Sequence, residues 1–228
     1  MKQILVAGLG RFGEALALTL EEAGVEVIAV DTDPNHVEVV KDRVTHVAQL
    51  DSTDLAALKA IGAEGVDAAV VAMGEDFQAS VLTTAALKEL GVKRIVARAN
   101  TEREARILRL AGADRIVFVE QEMGQRLGKA LVGDSVLDHI ALAEGYAMIQ
   151  WAIDDRLTGK TLRESEFRSR YRVNVVAIKR REVTHAEDGS EQIRERLDPV
   201  PLPEYRFAAG DILVLVGKDS DLEALTGA

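Results

Sequence analysis

Cysteine is absent from this 228-residue chain. Disulfides and thiolate metal sites are therefore excluded, and the composition suits a reducing compartment. Histidine is scarce: His36, His46, His139 and His185 show no close paired spacing, so an imidazole zinc site is not indicated. Basic residues are outnumbered, 28 Lys and Arg against 38 Asp and Glu, for a formal charge of −10. That balance gives no electrostatic footprint for DNA, RNA or anionic lipid, and no nucleic-acid partner is expected. Long apolar runs are missing as well. Segments 68–73 and 212–216 have strand length, far below the ~20 residues that span a bilayer. The apolar opening before Gly8 is too short for a signal peptide. The expectation is a soluble, cytoplasmic protein that reaches any membrane process through a separate membrane partner.

What is present suffices for a real core. Apolar residues make up 47% of the chain, and the length suits one large or two modest domains. Over the first 120 residues short apolar runs at 3–7, 26–30, 46–48, 68–72, 94–97 and 115–118 read as strands. Between them lie stretches with apolar residues at helical spacing. One runs through Leu16, Leu18 and Leu20 to Gly24; another holds Val37, Val39 and Val40 after Asp33-Pro34, an N-cap followed by a first-turn proline. A phrase recurs before the strands: Leu58-Lys59-Ala60-Ile61-Gly62-Ala63, Leu87-Lys88-Glu89-Leu90-Gly91-Val92 and Leu108-Arg109-Leu110-Ala111-Gly112-Ala113, with Glu21-Glu22-Ala23-Gly24-Val25 a looser copy. It reads as a helix closing on a left-handed glycine before the chain re-enters the sheet. Near-continuous apolar strands alternating with helices predict a Rossmann-like, doubly wound parallel sheet of the α/β class.

Beyond Glu120 the pattern changes. Residues 122–132 read as one more helix, with a break at Gly133-Asp134-Ser135, and β-type segments follow at 147–153, 173–179 and 211–217. Between the last two lies a polar stretch, 182–196, with Asp188-Gly189 as a hairpin-turn signal. Pro199, Pro201 and Pro203 then mark an extended segment outside any sheet interior. The organisation expected is a nucleotide-binding lobe at 1–138 and a smaller α+β lobe at 139–228.

The motif that carries chemistry is Gly8-Leu9-Gly10-Arg11-Phe12-Gly13. Alone, G-x-G-x-x-G is a weak signal. Here a strand precedes it, a helix follows, and Asp31 ends the second strand eighteen residues after Gly13, close to the ~20-residue offset of a ribose-binding acid. Gly8 makes the turn, Gly10 lets backbone approach phosphate, and Gly13 lets helix pack on strand. An acid at Asp31 would repel a 2′-phosphate, which favours an adenine nucleotide or NAD(H) over NADP. Arg11 can bind phosphate oxygens bidentately, although a surface arginine at a helix start would look the same. Asp51-Ser52-Thr53 after the third strand can reach adenine, cap the next helix, or both. No catalytic constellation emerges, so binding without turnover is the simpler reading. An NAD-dependent oxidoreductase, with Arg98 or His139 touching substrate, is the competing class.

The first 130 residues resemble the RCK (regulator of potassium conductance) domain, especially the cytosolic regulatory subunits of Ktr/Trk-type potassium uptake systems. The likeness rests on Val6 to Gly13, Ala29-Val30-Asp31, Gln78-Ala79-Ser80-Val81-Leu82-Thr83-Thr84, Leu87 to Gly91, and Gly112 to Val117 with Glu120 and Met123-Gly124. In the second half, Val176-Ala177-Ile178-Lys179 and Ala209-Gly210-Asp211-Ile212-Leu213-Val214 look like the family's second lobe. The resemblance implies a homo-oligomer of dimers assembled into a ring, an octamer, docked at the inner face of the membrane on a potassium-translocating subunit. ATP, ADP or NAD(H) in the cleft would gate ion flow. It gives Arg11 and Arg98, the latter where lysine is expected, to phosphate, and Gly74 and Phe12 to the cofactor cleft. Glu120 is given to a bridging Mg²⁺ or Ca²⁺; an acid at a helix start would also look this way. Some members bind cyclic di-AMP at the second lobe, where Leu162, Arg168 and Asn174 are the candidates here. Arg163 in place of an apolar residue, Arg172 where glycine is usual, and the long 182–196 segment tell against that ligand.

Overall fold

The computed structural model describes residues 2–133, 135–185 and 191–227. The chain divides into two compact units, Met1–Gln121 and Glu122–Ala228. In the first, strand and helix alternate: β1 (Gln3–Ala7), α1 (Arg11–Glu22), β2 (Glu26–Asp31), α2 (Pro34–Val40), β3 (His46–Gln49), α3 (Leu55–Ala60), β4 (Ala68–Val71), α4 (Phe77–Glu89), β5 (Ile95–Arg98), α5 (Glu102–Ala111) and β6 (Arg115–Val117). The strands lie in the order β3-β2-β1-β4-β5-β6, every neighbouring pair parallel. This is the doubly wound sheet expected from the alternation. The strand order reverses between β1 and β4, and the carboxyl ends of those two strands border the crevice where such sheets bind ligands.

Side-chain alternation explains why both faces are covered. Leu5 and Ala7 of β1 join Ile28, Val30, Ala69 and Val71 in one apolar cluster, whereas Ile4 and Val6 join Val27, Ala29 and Ala17 in another. The recurring glycine phrase does what its sequence implied. Gly24, Gly62, Gly91 and Gly112 all have φ between 78° and 119°. In three copies the residue after the glycine bonds back across the turn: Val25 to the Leu20 carbonyl, Val92 to Leu87 and Ala113 to Leu108, at 3.0–3.1 Å. The anchors Leu58, Leu87 and Leu108 are fully buried, so each helix ends on a hydrophobic peg and aims the next strand.

The second unit is built on α6 (Val119–Val132), β7 (Val136–Ala143), β8 (Tyr146–Ala152), α7 (Phe167–Tyr171), β9 (Asn174–His185), β10 (Glu191–Asp198), β11 (Ile212–Lys218) and α8 (Asp219–Thr226). Its antiparallel sheet runs β10-β9-β11-β8-β7. Ala147, Ile149 and Trp151, alternate residues of β8, are buried with Phe167, Phe207, Leu213 and Leu215. Asp211 is buried too, accepting from the Ala208 N–H and the Tyr205 hydroxyl at 2.9 Å. Burial, and then the bond to Asp211, push the Tyr205 phenol up to about 12.

Two sequence expectations are extended here. The polar stretch 182–196 is largely strand: β9 runs on to His185 and β10 pairs with it from Glu191↔His185 to Asp198↔Ile178. The Asp188-Gly189 turn and Asp134 of the predicted break lie outside the described residues. The helix read at 122–132 begins at Val119, and the compact division falls inside it. The boundary at 138/139 would assign the whole helix to the first lobe. Met123, Leu127 and Leu131 of α6 form a stripe at helical spacing, each more than half exposed. Among the described residues no helix is long and apolar enough to cross a membrane.

Helix α7 is bracketed by the only described non-glycine residues with positive φ, Glu166 (48°) and Arg172 (58°). Arg172 occupies the left-handed C-cap, where the backbone closes on the Phe167 carbonyl. The substitution Arg172→Gly is expected to stabilise the protein by about 1 kcal/mol, the cost of the left-handed conformation for a residue with a Cβ. Calorimetry should show this as a Tm rise of a few degrees; an unchanged or lower Tm would contradict strain at this turn.

Candidate functional site

The glycine loop links β1 to α1 by a turn that doubles onto itself. Gly8 has φ +92°, and a Cβ there would lie 2.7 Å from Met73 Cγ. Its N–H bonds to the Val30 carbonyl at 2.9 Å, tying the loop to β2. A Cβ on Gly13 would stand 1.8 Å from the Gly8 carbonyl oxygen, whereas one on Gly10 would meet nothing within 4 Å. Gly13 is thus a packing residue, and Gly10 leaves open the space through which a ligand approaches backbone.

The helix that starts here differs from its neighbours. Side chains cap α2 (Asp33), α3 (Asp54), α4 (Asp76) and α5 (Thr101), each accepting a first-turn N–H. Helix α1 has Gly10 at its N-cap and no side-chain cap. Its first-turn N–H groups and the positive end of its dipole are left for an anion from outside. Arg11, exposed at the first helical position, has no ion-pair partner among the described residues.

Asp31 at the end of β2 faces the same loop. Its carboxylate accepts the Leu9 N–H at 2.5 Å and the Asp33 N–H at 2.8 Å, with His36 Nδ1 3.3 Å away. These backbone donors orient an acid at the β2 end of the crevice, and a carboxylate's remaining lone pairs can accept hydroxyls. The crevice is an open cleft of about 1320 Å³, and every sequence-selected residue of this lobe except Gly13 lines it. It therefore brings together Gly8, Gly10, Arg11, Phe12, Asp31, Asp51, Ser52, Thr53, Gly74, Arg98 and Glu120.

On the far side Gly74 follows β4 and Arg98 ends β5. A Cβ on Gly74 would lie 2.4 Å from Arg98 Cζ, so the guanidinium rests directly on the Gly74 backbone. Asn100 donates to the Gly74 carbonyl, and Arg98 Nη2 donates to Glu120 Oε1. Asp51-Ser52-Thr53 needs a correction: Asp54, not these residues, caps the next helix. The Ser52 hydroxyl is buried against Thr83 at 2.8 Å. Hydrogen bonds from the Thr53 hydroxyl and then its N–H hold the Asp51 carboxyl below the usual carboxylate range.

Among the described residues no three His, Asp or Glu side chains are gathered so as to hold a metal ion; Glu120 is a single carboxylate engaged by Arg98. In the second unit Leu162 packs partly buried on the core, Arg168 is exposed on α7, and Asn174 is exposed at the start of β9. No described hydrogen bond joins these three. Sequence reasoning missed Thr32, His36, Met73, Glu75 and Leu82 on the cleft wall. Position could have found Thr32 and Met73, because each follows a strand whose carboxyl end borders the crevice.

Comparison with known proteins identifies the family and the fold. A model of the TrkA-N domain matches residues 4–119, and one of the TrkA-C domain matches residues 152–227. The chain is 38% identical to the Ktr system potassium uptake protein C of Bacillus subtilis, over 97% of this chain and 94% of that protein. The GsuK channel shares the fold at 21% identity with a TM-score of 0.67, over 98% of this chain; the chain spans 38% of the channel's. The Shewanella denitrificans Kef CTD in AMP-bound form is similar over 57% of this chain and 80% of that one, with 25% identity and a TM-score of 0.50.

The loop glycines should separate packing from access. Gly13→Ala forces a backbone clash and is expected to cost about 3 kcal/mol or more, read as a large fall in Tm. Gly10→Ala should leave Tm nearly unchanged while weakening anion binding at the α1 N-terminus. Equal Tm values for the two variants would refute the close contact at Gly13.

Proposed function

The chain belongs to the family of potassium-uptake proteins built from a TrkA-N and a TrkA-C domain, and we propose that it is a cytosolic regulatory subunit whose adenine-nucleotide binding controls potassium flow through a separate membrane subunit. One observation carries this reading: an uncapped helix N-terminus, a free arginine and an oriented carboxylate share one cleft. The α1 amides and Arg11 would hold phosphates, with Arg98 as a second cation, and Asp31 would hold the ribose. The AMP-bound relative supports an adenosine ligand. ATP or ADP is favoured over NAD(H), because Arg11 adds positive charge where a phosphate chain ends. Mg²⁺ or Ca²⁺ at Glu120 would need phosphate oxygens or another copy to complete its shell.

The exposed stripe of Met123, Leu127 and Leu131 supports pairing with a second copy of the chain. A ring of such dimers, an octamer, at the inner membrane face is the assembly proposed. The nucleotide acts by binding one ring shape better than another, since a ligand shifts an equilibrium only through differential affinity. No residue is assigned to chemical turnover, and no ligand to the second lobe.

Calorimetric titration of the purified chain with ATP, ADP, NAD⁺ and NADH tests this. Asp31→Ala should weaken every adenosine ligand by about tenfold or more, the worth of a charged hydrogen bond. Arg11→Ala should weaken ATP more than ADP. Equal losses for ATP and ADP would remove Arg11 from the terminal phosphate. Turnover of a hydroxy or keto acid with NADH consumption would place the chain among oxidoreductases instead.

A further inference from the structure

The two charged residues on the far wall of the cleft are not independent. Arg98 Nη2 is bonded to Glu120 Oε1 in the ligand-free protein, so Arg98 cannot be described as a vacant phosphate site nor Glu120 as a waiting carboxylate. The partners differ in freedom. The Arg98 side chain is 17% exposed and that of Glu120 63%. The guanidinium is shelved on Gly74, a position a Cβ would occupy, and Asn100 pins that backbone to the end of β5. Arg98 Nε is buried and has no hydrogen-bond partner among the described residues. The arginine is thus held in place with donor capacity unspent, while Glu120 can leave. Glu120 is the second residue of α6, where a carboxylate remains favourable beside the helix N-terminus after losing its partner. The pair also stands between two spaces: Gly74, Glu75, Arg98 and Glu120 line both the main cleft and an adjoining cavity of about 320 Å³.

We infer that Arg98 exchanges partners, held by Glu120 when the cleft is empty and drawn onto phosphate when it is filled, so that anion binding releases the first turn of α6. This rests on the cleft being an anion site. The driving force is chemical: a guanidinium prefers the bidentate, more highly charged phosphate to a single exposed carboxylate oxygen. Glu120 is then a competitor of the ligand and a positioning residue for α6. Occupancy of the cleft is thereby coupled to the one helix that continues from the first unit into the second.

The test is ATP titration of the full chain, in chelator to exclude divalent cations, for wild type, Glu120→Gln, Arg98→Gln and the double variant. Glu120→Gln should tighten ATP about two- to fivefold, the factor a partly exposed ion pair is worth, and leave adenosine unchanged. Arg98→Gln should weaken ATP, and in that background Glu120→Gln should do nothing. An unchanged or weaker ATP affinity for Glu120→Gln overturns the exchange. So does an equal gain without Arg98, which would mark simple charge repulsion. Hydrogen exchange of peptide 119–126 gives a readout without ligand: each single variant should speed exchange to the level that ATP produces in wild type, with no further gain in the double variant. Exchange rates unmoved by either substitution also overturn the inference. Wild-type protein that binds no adenosine phosphate overturns the proposed function itself, whereas tight binding with an unresponsive Glu120→Gln overturns the exchange alone.

Discussion

Contact between the Gly13 α-carbon and the Gly8 carbonyl determines where α1 begins, and most of the cleft follows from that. A helix that starts against its own preceding turn begins right at the carboxyl end of β1, beside the point where the strand order reverses. Its N-cap is Gly10, which has open space beside it but no side chain to fold back. The four following helices each carry such a cap, a feature commonly worth about 1 kcal/mol. Helix α1 forgoes it and keeps unsatisfied N–H groups facing the crevice. The same turn fixes Leu9 so that its N–H orients Asp31, and the uncapped helix start and the carboxylate are positioned by one backbone geometry.

Charge must be considered locally, because the chain as a whole is a poor anion binder. A net charge of −10 repels a polyphosphate at long range, yet that field is screened within about 8 Å at physiological salt. Inside the cleft the charges are mixed. Asp31, Asp33 and Asp51 line the β2 and β3 end and Arg11 the turn, while Arg98 stands with Glu75, Asp76 and Glu120 on the far wall. In the proposed binding mode, carboxylates at the β2 end would accept sugar hydroxyls and oppose an added phosphate there, whereas Arg11 and the α1 amides would favour a phosphate chain. In that proposal short-range contacts orient the nucleotide, and overall composition says little about it.

Legibility in the sequence followed how local each cause was. The glycine phrases were readable because a Schellman turn needs its glycine and its leucine peg within six residues. Asp33-Pro34 was readable for the same reason. The parallel sheet followed from apolar strands with no polar face. The extension of β9 and strand β10 were signalled only by the Asp188-Gly189 hairpin turn, since a charged ribbon shows no hydrophobic period. Helix α7 was hidden because five residues carry too little pattern. In the cleft, residues adjacent to the glycine motif or at strand ends could be selected, but the buried contact of Ser52 could not be read. Its hydroxyl turns to Thr83, thirty-one residues away, a pairing that exists only after α4 packs. Asp54 as the true cap was masked by three other polar residues beside it. The Arg98–Glu120 bond belongs to the same class, twenty-two residues apart and joined only by the neighbouring strands β5 and β6.

That long-range bond gives α6 a significance beyond its role as a connector. Residues 120, 123, 127 and 131 recur at intervals of three and four, so Glu120 heads the same helical stripe as Met123, Leu127 and Leu131. The stripe is apolar and exposed, and burying it against another copy would bring that copy to the helix face on which Glu120 sits. A carboxylate held back by Arg98 and one released from it present different charges to such a neighbour. Regulation needs two assemblies that differ in nucleotide affinity. If the first turn of α6 answers the cleft as inferred, a helix whose next turns offer an apolar face has the means to couple the two, through contacts that each lie within a few ångströms.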